Sequence, residues 1–486
     1  MFRRPVVRIF VKIMLMMHVP LCSAIDVPIY DFSMAPYSQQ VDHYLSPQND
    51  PYTQPLVSLE YQQAQVQQFY QHYYADDSQG LSPWSEQFVV AVLPQVYAQE
   101  LLILDQFNNQ NKSFPEKHYA ENFKEHDVIW WEHIKTNMNL TALIMAQFQP
   151  EHRAIVVGNT FARALPDMAP DFYHVSLPGQ GFPFDNLQDS VLWVGTPLYV
   201  LSISEDKAWS LVLTPDGYFS WVKSGDIAYV SPRFMQQWQS AAKQQLIAVT
   251  ATAAPVLDRH QRFQFSSYIG MVLPMHDQDD LSWKVLIPVK NRHHLATIKV
   301  GMLAKESAAL MPVPATPKNM AKILQQLQNR AYGWGGAFLL NDCSLEMKSI
   351  FTPFGVWLPR NSAQQARLNS VENLSSLSMD ERLKALQEKG HPLMTLIYIG
   401  GHVMLYLGHQ DETAMTYQNI WALSPLARDR RYVIGKSVFL PLLPTYPDNP
   451  DVSSLANKSS FKLIYLDTLS PVVDTPESFV ARFMIT

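Results

Sequence analysis

Ala331-Tyr332-Gly333-Trp334-Gly335-Gly336, continued by Asn341-Asp342-Cys343-Ser344 and Leu358-Pro359-Arg360-Asn361-Ser362, sets a cysteine behind a glycine-rich turn and ahead of a helix-like run. Glycine tolerates backbone conformations closed to other residues, so this turn can be tight and can approach a ligand closely. Asp342 is a suitable N-cap for a helix that starts near Cys343 and runs through Met347 and Phe351. A cysteine in the first turn of a helix meets unpaired N–H groups and the positive end of the helix dipole. Both favour thiolate, so the spacing predicts a lowered thiol pKa and a nucleophile at Cys343.

A nucleophilic sulfur needs a base beside it. The chain has 15 histidines, so the presence of one means little. His402 differs from the rest by its setting. Residues 393–399 and 402–407 are two strand-like runs joined by Gly400-Gly401, a strong hairpin signal. His402 opens the second run, where a rigid scaffold can aim it. His293, His294 and His409 lack such a setting. The sequence contains neither His-Glu-x-x-His nor paired Cys-x-x-Cys, so neither a metal nor a cofactor is expected.

The composition suits this chemistry and disfavours others. The chain has 486 residues, 47% of them hydrophobic and 16% charged, with a net charge of −6. That is a globular chain of about three domains. It carries no long basic run, so nucleic acid binding is not expected. The two cysteines are Cys22 and Cys343. Residues 1–24 read as a secretory signal peptide. Arg3, Arg4, Arg8 and Lys12 precede a short apolar core over 13–21, and Cys22-Ser23-Ala24 offers a cleavage site. That core is too short to span a bilayer, so no stable membrane span is expected once it is removed. The mature chain would then keep one thiol, in an exported protein of the periplasm or cell envelope.

The remainder divides by texture. Residues 25–145 read as a mostly helical N-terminal region. It opens with a polar, proline-dotted arm over 25–60, followed by helices over 58–74 and 85–107. Phe88, Val92, Val96, Leu101 and Leu104 offer one apolar face of the second helix, and Trp130 and Trp131 read as core. Short strands then recur over 153–157, 191–194, 197–201, 208–213 and 218–222, which suggests a small β-barrel over 146–240. A second barrel over 241–311 has strands at 246–250, 269–273 and 283–288. A proline-rich linker over 312–317 and a helix over 319–329 lead into a last domain, 312–486.

These residues carry a family resemblance. Tyr332-x-Trp334-Gly335-Gly336, Asp342-Cys343-Ser344, Phe354-Gly355-x-x-Leu358-Pro359-Arg360-x-Ser362-x-x-Gln365 and Gly401-His402-Val403-x-x-Tyr406-Leu407-Gly408 are together similar to the NlpC-type cysteine peptidases of bacterial cell walls. The two barrels resemble the SH3-like domains of the multidomain branch of that family. The resemblance implies a multidomain α+β chain: a helical N-terminal region, two SH3-like barrels and a papain-like catalytic domain. It also implies hydrolysis of the γ-D-glutamyl–diamino acid bond of peptidoglycan stem peptides or muropeptides. Cys343 would be the nucleophile and His402 the base. The third position, often histidine in the family, is Gln418 in Gln418-Asn419-Ile420-Trp421, and an amide can still orient an imidazole. Tyr332, Trp334, Asp342, Ser344 and Ser362 would line the substrate site. The loop 181–188 would close one end of the groove, docked through Phe182 and Phe184. Asp185, held near Asp342, would then place two negative charges where a free L-alanine ammonium could sit. The competing readings are a peptidoglycan-binding protein that kept the fold with little or no activity, and an acyltransferase or amidase working on another substrate.

Overall fold

A computed structural model describes residues 27–48, 50–77, 80–470 and 474–484. The signal-like segment 1–24 lies outside the described residues. Three seven-stranded sheets dominate the chain. The first uses strands between Arg153 and Tyr229, the second strands between Leu246 and Met311, and each is antiparallel throughout. Pro232–Gln244 is a helix between them, capped by Ser231 and started by Pro232. The strand expected at 269–273 begins later, at Val272, because Gly270 adopts φ +93° and breaks the extended run.

The N-terminal region forms helices at Leu59–Tyr73, Glu86–Gln106 and Val128–Asn137. Ser58, Ser85 and Asp127 cap them by accepting a backbone N–H three residues on. Glu86–Gln106 is long and apolar enough to cross a membrane by length and composition. It instead lays Phe88, Val89, Val92, Val96 and Leu104 into a core shared with both barrels, while Leu101 stays on the exposed side. The same core takes in Leu345 and Trp357 of the C-terminal domain. The helical region and the barrels are thus packed against the candidate site and are not tethered at a distance. Trp130 and Trp131 pack against this core half-buried.

The third sheet runs Ile29–Asp31, Arg431–Pro441, Thr413–Leu423, Val403–Gln410, Thr395–Tyr398, Lys462–Tyr465, Val371–Asn373. The polar N-terminal arm therefore supplies a strand, parallel to Arg431–Pro441. Apolar side chains alternate across the sheet with the strand period of two. Leu396, Leu405, Tyr417 and Phe439 face the helix Cys343–Phe351, and Ile397, Met404, Tyr406 and Leu440 face a second core under Met379–Lys389. The helix that begins at Cys343 is so packed that every one of its residues is buried.

Candidate active site

Asp342 has extended backbone geometry and caps the helix, its Oδ1 accepting the Leu345 N–H at 2.9 Å. Cys343 is the first helical residue. The hairpin turn at Gly400-Gly401 has both glycines at positive φ, +79° and +80°. It delivers His402 to the start of Val403–Gln410. The backbone N–H of Val403 is close enough to the Cys343 thiol to favour its thiolate, which puts the sulfur beside the hairpin.

His402 Nε2 lies 2.7 Å from Gln418 Oε1. The orientation of that amide is forced. Gln418 Nε2 donates to Thr416 Oγ1 at 2.9 Å, and Thr416 Oγ1 donates to the Leu440 carbonyl at 2.7 Å. The carbonyl end of Gln418 must therefore face the imidazole. Nε2 carries the proton, and Nδ1 keeps the free lone pair that a base needs. Gln418 is fully buried and His402 half-buried, so the bond is shielded from water at its amide end. The next residues of the same strand support the same site. Asn419 Nδ2 donates to the Asn341 carbonyl at 2.8 Å, two residues before the cysteine, and Trp421 packs edge-on against Phe184.

The lowered thiol pKa expected from the helix N-terminus is not what the structure has. Burial pushes the Cys343 thiol up to about 12, Asp342 adds to it, and the Val403 and Ser344 N–H groups only partly oppose it. Burial likewise pushes His402 down to about 4, against the bond from Gln418 and the charge of Asp342. Desolvation outweighs the dipole because Cys343 is buried and His402 is half-buried beside it. Both shifts favour the neutral thiol and the neutral imidazole.

Asp342 and Asp185 are not free carboxylates either. Arg360 grips Asp342 through both ends, Nη1 to Oδ1 at 3.1 Å and Nη2 to Oδ2 at 2.6 Å. Its Nη1 also donates to Ser344 Oγ, and its Nε donates to Ser190 Oγ on the first barrel. Asp185 pairs with Arg163 and accepts the Asp171 and Leu187 N–H groups. Each negative charge expected at the end of the groove thus has a buried guanidinium beside it. The sequence reading quoted Arg360 within its motif but gave it no role. Its partners stand 16 and 18 residues away in the C-terminal domain and 170 away on the barrel, so no local spacing marks them.

The loop of the first barrel does reach the site, by one aromatic residue and not two. Phe184 is 7% exposed and packs edge-on to Trp334 and Trp421. Phe182 is 66% exposed and leans on Phe172. Trp334 Nε1 donates to the Asp185 carbonyl at 3.0 Å. The glycines of the central turn serve this docking. A Cβ on Gly335 would stand 2.1 Å from the Gln188 carbonyl, and one on Gly336 would stand 2.8 Å from Val191 Cγ1. The close approach is to the barrel strand Gln188–Leu192. Gln188 Nε2 returns a bond to the Gly335 carbonyl at 2.9 Å. Tyr332 is half-buried beside Cys343, and its hydroxyl feels both Cys343 and Asp342. Ser362 is buried at the start of the short helix Ser362–Gln365. Gln365 Nε2 donates to the Ser344 and Pro359 carbonyls and so joins that helix to the nucleophile turn.

A solved structure described as a novel NlpC/P60 endopeptidase from Photobacterium damselae subsp. piscicida superposes on this chain with a TM-score of 0.72. It shares 24% sequence identity, over 88% of this chain and 97% of that one. The chain has the NlpC/P60 endopeptidase fold. An NlpC/P60 family protein from Bacillus cereus ATCC 10987 aligns at 17% identity and a TM-score of 0.42, over 62% of this chain and 98% of that one. Residues 170–223 match the family model of an SH3 domain of the SH3b1 type, and residues 231–280 match that of an SH3 domain of the SH3b2 type. No curated protein matches the chain. The architecture is therefore a mixed α+β chain with a helical N-terminal region, two SH3b domains and an NlpC/P60 fold. The second SH3b match takes in the helix Pro232–Gln244.

Proposed function

We propose that this chain is an exported cysteine endopeptidase of the cell envelope that hydrolyses the γ-D-glutamyl–diamino acid bond of peptidoglycan stem peptides. The observation that carries the reading is the His402–Gln418 bond, with its amide locked by Thr416, on the hairpin that touches the Cys343 thiol. Gln418 orients the imidazole so that Nδ1 takes the thiol proton. Because the resting pair is neutral, proton transfer accompanies attack and does not precede it. The sulfur adds to the γ-carbonyl of D-glutamate. The imidazolium then gives its proton to the departing amine of the diamino acid. Water, deprotonated by His402, hydrolyses the thioester and frees the thiol. Tyr332, Trp334, Asp342, Ser344, Ser362 and the Asp185 loop line the side that holds the L-alanyl-D-glutamyl part. The SH3b domains fit a wall-derived substrate and shape the groove through Phe184.

A second reading has one observation in its favour. The buried thiol, held up to about 12, would suit a binding protein that retains the fold without rapid turnover. Incubation with purified muropeptides, read by mass spectrometry, separates the two. The proposal expects a fragment ending in D-glutamate and another beginning with the diamino acid, both lost in Cys343→Ala. Unaltered muropeptides that nevertheless bind the chain would establish the second reading.

A further inference from the structure

A cavity of about 340 Å3 lies where the helix Glu86–Gln106, the first barrel and the C-terminal domain meet, and neither Cys343 nor His402 is in its wall. Side-chain amides supply much of the polar wall, and bonds settle which way four of them point. Gln99 Nε2 donates to the Met484 carbonyl, Gln364 Nε2 to the Phe483 carbonyl and Asn186 Nδ2 to Asp171 Oδ1. Asn361 Nδ2 donates to the Tyr218 hydroxyl while its Oδ1 accepts the Gln364 N–H. In all four the NH2 end is already engaged with another part of the protein. What these amides can still offer a ligand is carbonyl oxygen and the second N–H of each NH2. Gln364 Oε1, on a side chain more than nine-tenths buried, has no partner among the described residues.

The only carboxylate in that wall is Asp189. It accepts one long bond, from Ser220 Oγ at 3.4 Å. Among the described residues it has no ion-pair partner, because the two arginines whose charge reaches it are committed elsewhere, Arg163 to Asp185 and Arg360 to Asp342. Asp189 is half-buried, and desolvation pushes it up to about 7 because no cation is at hand to offset it. Behind it Glu100, bonded by Trp221 Nε1 at 3.0 Å, is a fully buried carboxyl whose Oε1 has no partner among the described residues. A buried acceptor such as Gln364 Oε1 is costly unless a donor meets it. The complement is a compact cationic donor. An ammonium has three N–H groups for one carboxylate and two amide oxygens. The volume lies within the range of small-ligand sites, about 300–1,000 Å3.

We propose that this cavity is a binding site for a small primary amine, its ammonium group seated between Asp189 and the carbonyl oxygens of the wall amides. The site is separate from the nucleophile and does not depend on the peptidase reading. The test is calorimetric titration of the full chain with 1,5-diaminopentane, and with 1,5-pentanediol as the uncharged analogue of equal length. Wild type should bind one diamine saturably and ignore the diol. Asp189→Asn, which removes the charge and keeps the shape, should weaken the diamine at least tenfold. Leu102→Lys should weaken it too. Leu102 is an exposed residue of the cavity wall, so the substitution is tolerable and supplies an internal ammonium in competition. Thermal unfolding of each variant checks folding, and if Asp189→Asn is unfolded the Leu102→Lys result decides. Absence of saturable diamine binding, equal affinity for the diol, or unchanged affinity in the folded variants would overturn the proposal.

Discussion

Replacing Arg360 with methionine would remove four hydrogen bonds at once: two to Asp342, one to Ser344 and one to Ser190 on the first barrel. Asp342 would remain as a buried carboxylate without its counter-ion. Breaking a buried pair from one side costs about 3–5 kcal/mol, most of it the penalty of the charge left behind. The helix Cys343–Phe351 should register that loss, because Asp342 is also its cap. The second variant isolates the charge term. Asparagine caps helices as well as aspartate does, so Arg360→Met with Asp342→Asn removes both charges and keeps the cap. The double variant should recover at least about 2 kcal/mol relative to Arg360→Met, since neutral replacement of both members of a buried pair is often close to neutral. Hydrogen exchange of the amides in Cys343–Phe351, read by mass spectrometry, gives the opening free energy of that element alone, which a chain of several domains requires. A double variant as unstable as Arg360→Met, or a single variant losing less than about 1 kcal/mol, would refute the view that Arg360 is the counter-ion of the nucleophile turn.

Cys343→Ala and His402→Ala should each abolish muropeptide cleavage with the fold intact, and the double variant should be no worse than either, because the two act as a unit. Gln418→Ala should keep more activity than His402→Ala, and equal residual rates would remove Gln418 from its orienting role. Phe184→Ala should cost about 3–5 kcal/mol as a core truncation, whereas Phe182→Ala at its exposed site should stay within about 0.5 kcal/mol. Hydrogen exchange of the amides in Gln188–Leu192, read by mass spectrometry, measures both, and similar losses would contradict the single-residue docking. His72 is fully enclosed and stacked on Trp357 with ring centroids 3.7 Å apart, and burial pushes it down to about 3. Between there and the unfolded value of about 6.5 the unfolded chain binds the extra proton, so stability falls as pH drops through that window. His402, pushed down to about 4, acts in the same direction. His72→Phe keeps the stack and removes one proton, so Tm measured from pH 7 to pH 4 should fall less steeply than in wild type, and an identical slope would exclude His72 as a source of acid lability.

The parts of this molecule legible in its sequence are those whose determinants lie within a few residues of one another. The Ser58, Ser85 and Asp342 caps accept from residues three positions on, and the Gly400-Gly401 turn closes a hairpin directly across itself. The alternating apolar residues of the barrels repeat every second position. The helix starts, the strands and the hairpin that carries His402 could be read from such spacings. What escaped was compensation between distant residues. The central glycines were read as making room for a ligand, but they make room for Gln188 and Val191, some 145 residues earlier in the chain. The carboxylates of Asp342 and Asp185 read as free charges only because nothing nearby names Arg360 and Arg163 as their partners.

The reversed thiol pKa has the same origin. A helix N-terminus is a local feature and pulls the sulfur toward thiolate. The enclosure of Cys343 is assembled from the His402 hairpin, Tyr332 and a helix with no exposed face, and it pushes harder the other way. A dipole contributes about 0.3–1 kcal/mol at exposed sites and up to about 2 kcal/mol when partly buried. Desolvation of a fully buried ionisable group reaches 3–5 pKa units, about 4–7 kcal/mol. The second term wins wherever the site is closed, and closure is a property of the assembled domains. On the proposed mechanism, reactivity at Cys343 therefore rests on the alignment of its proton with His402 Nδ1. Gln418 and Thr416 set that alignment through two short bonds on one buried strand.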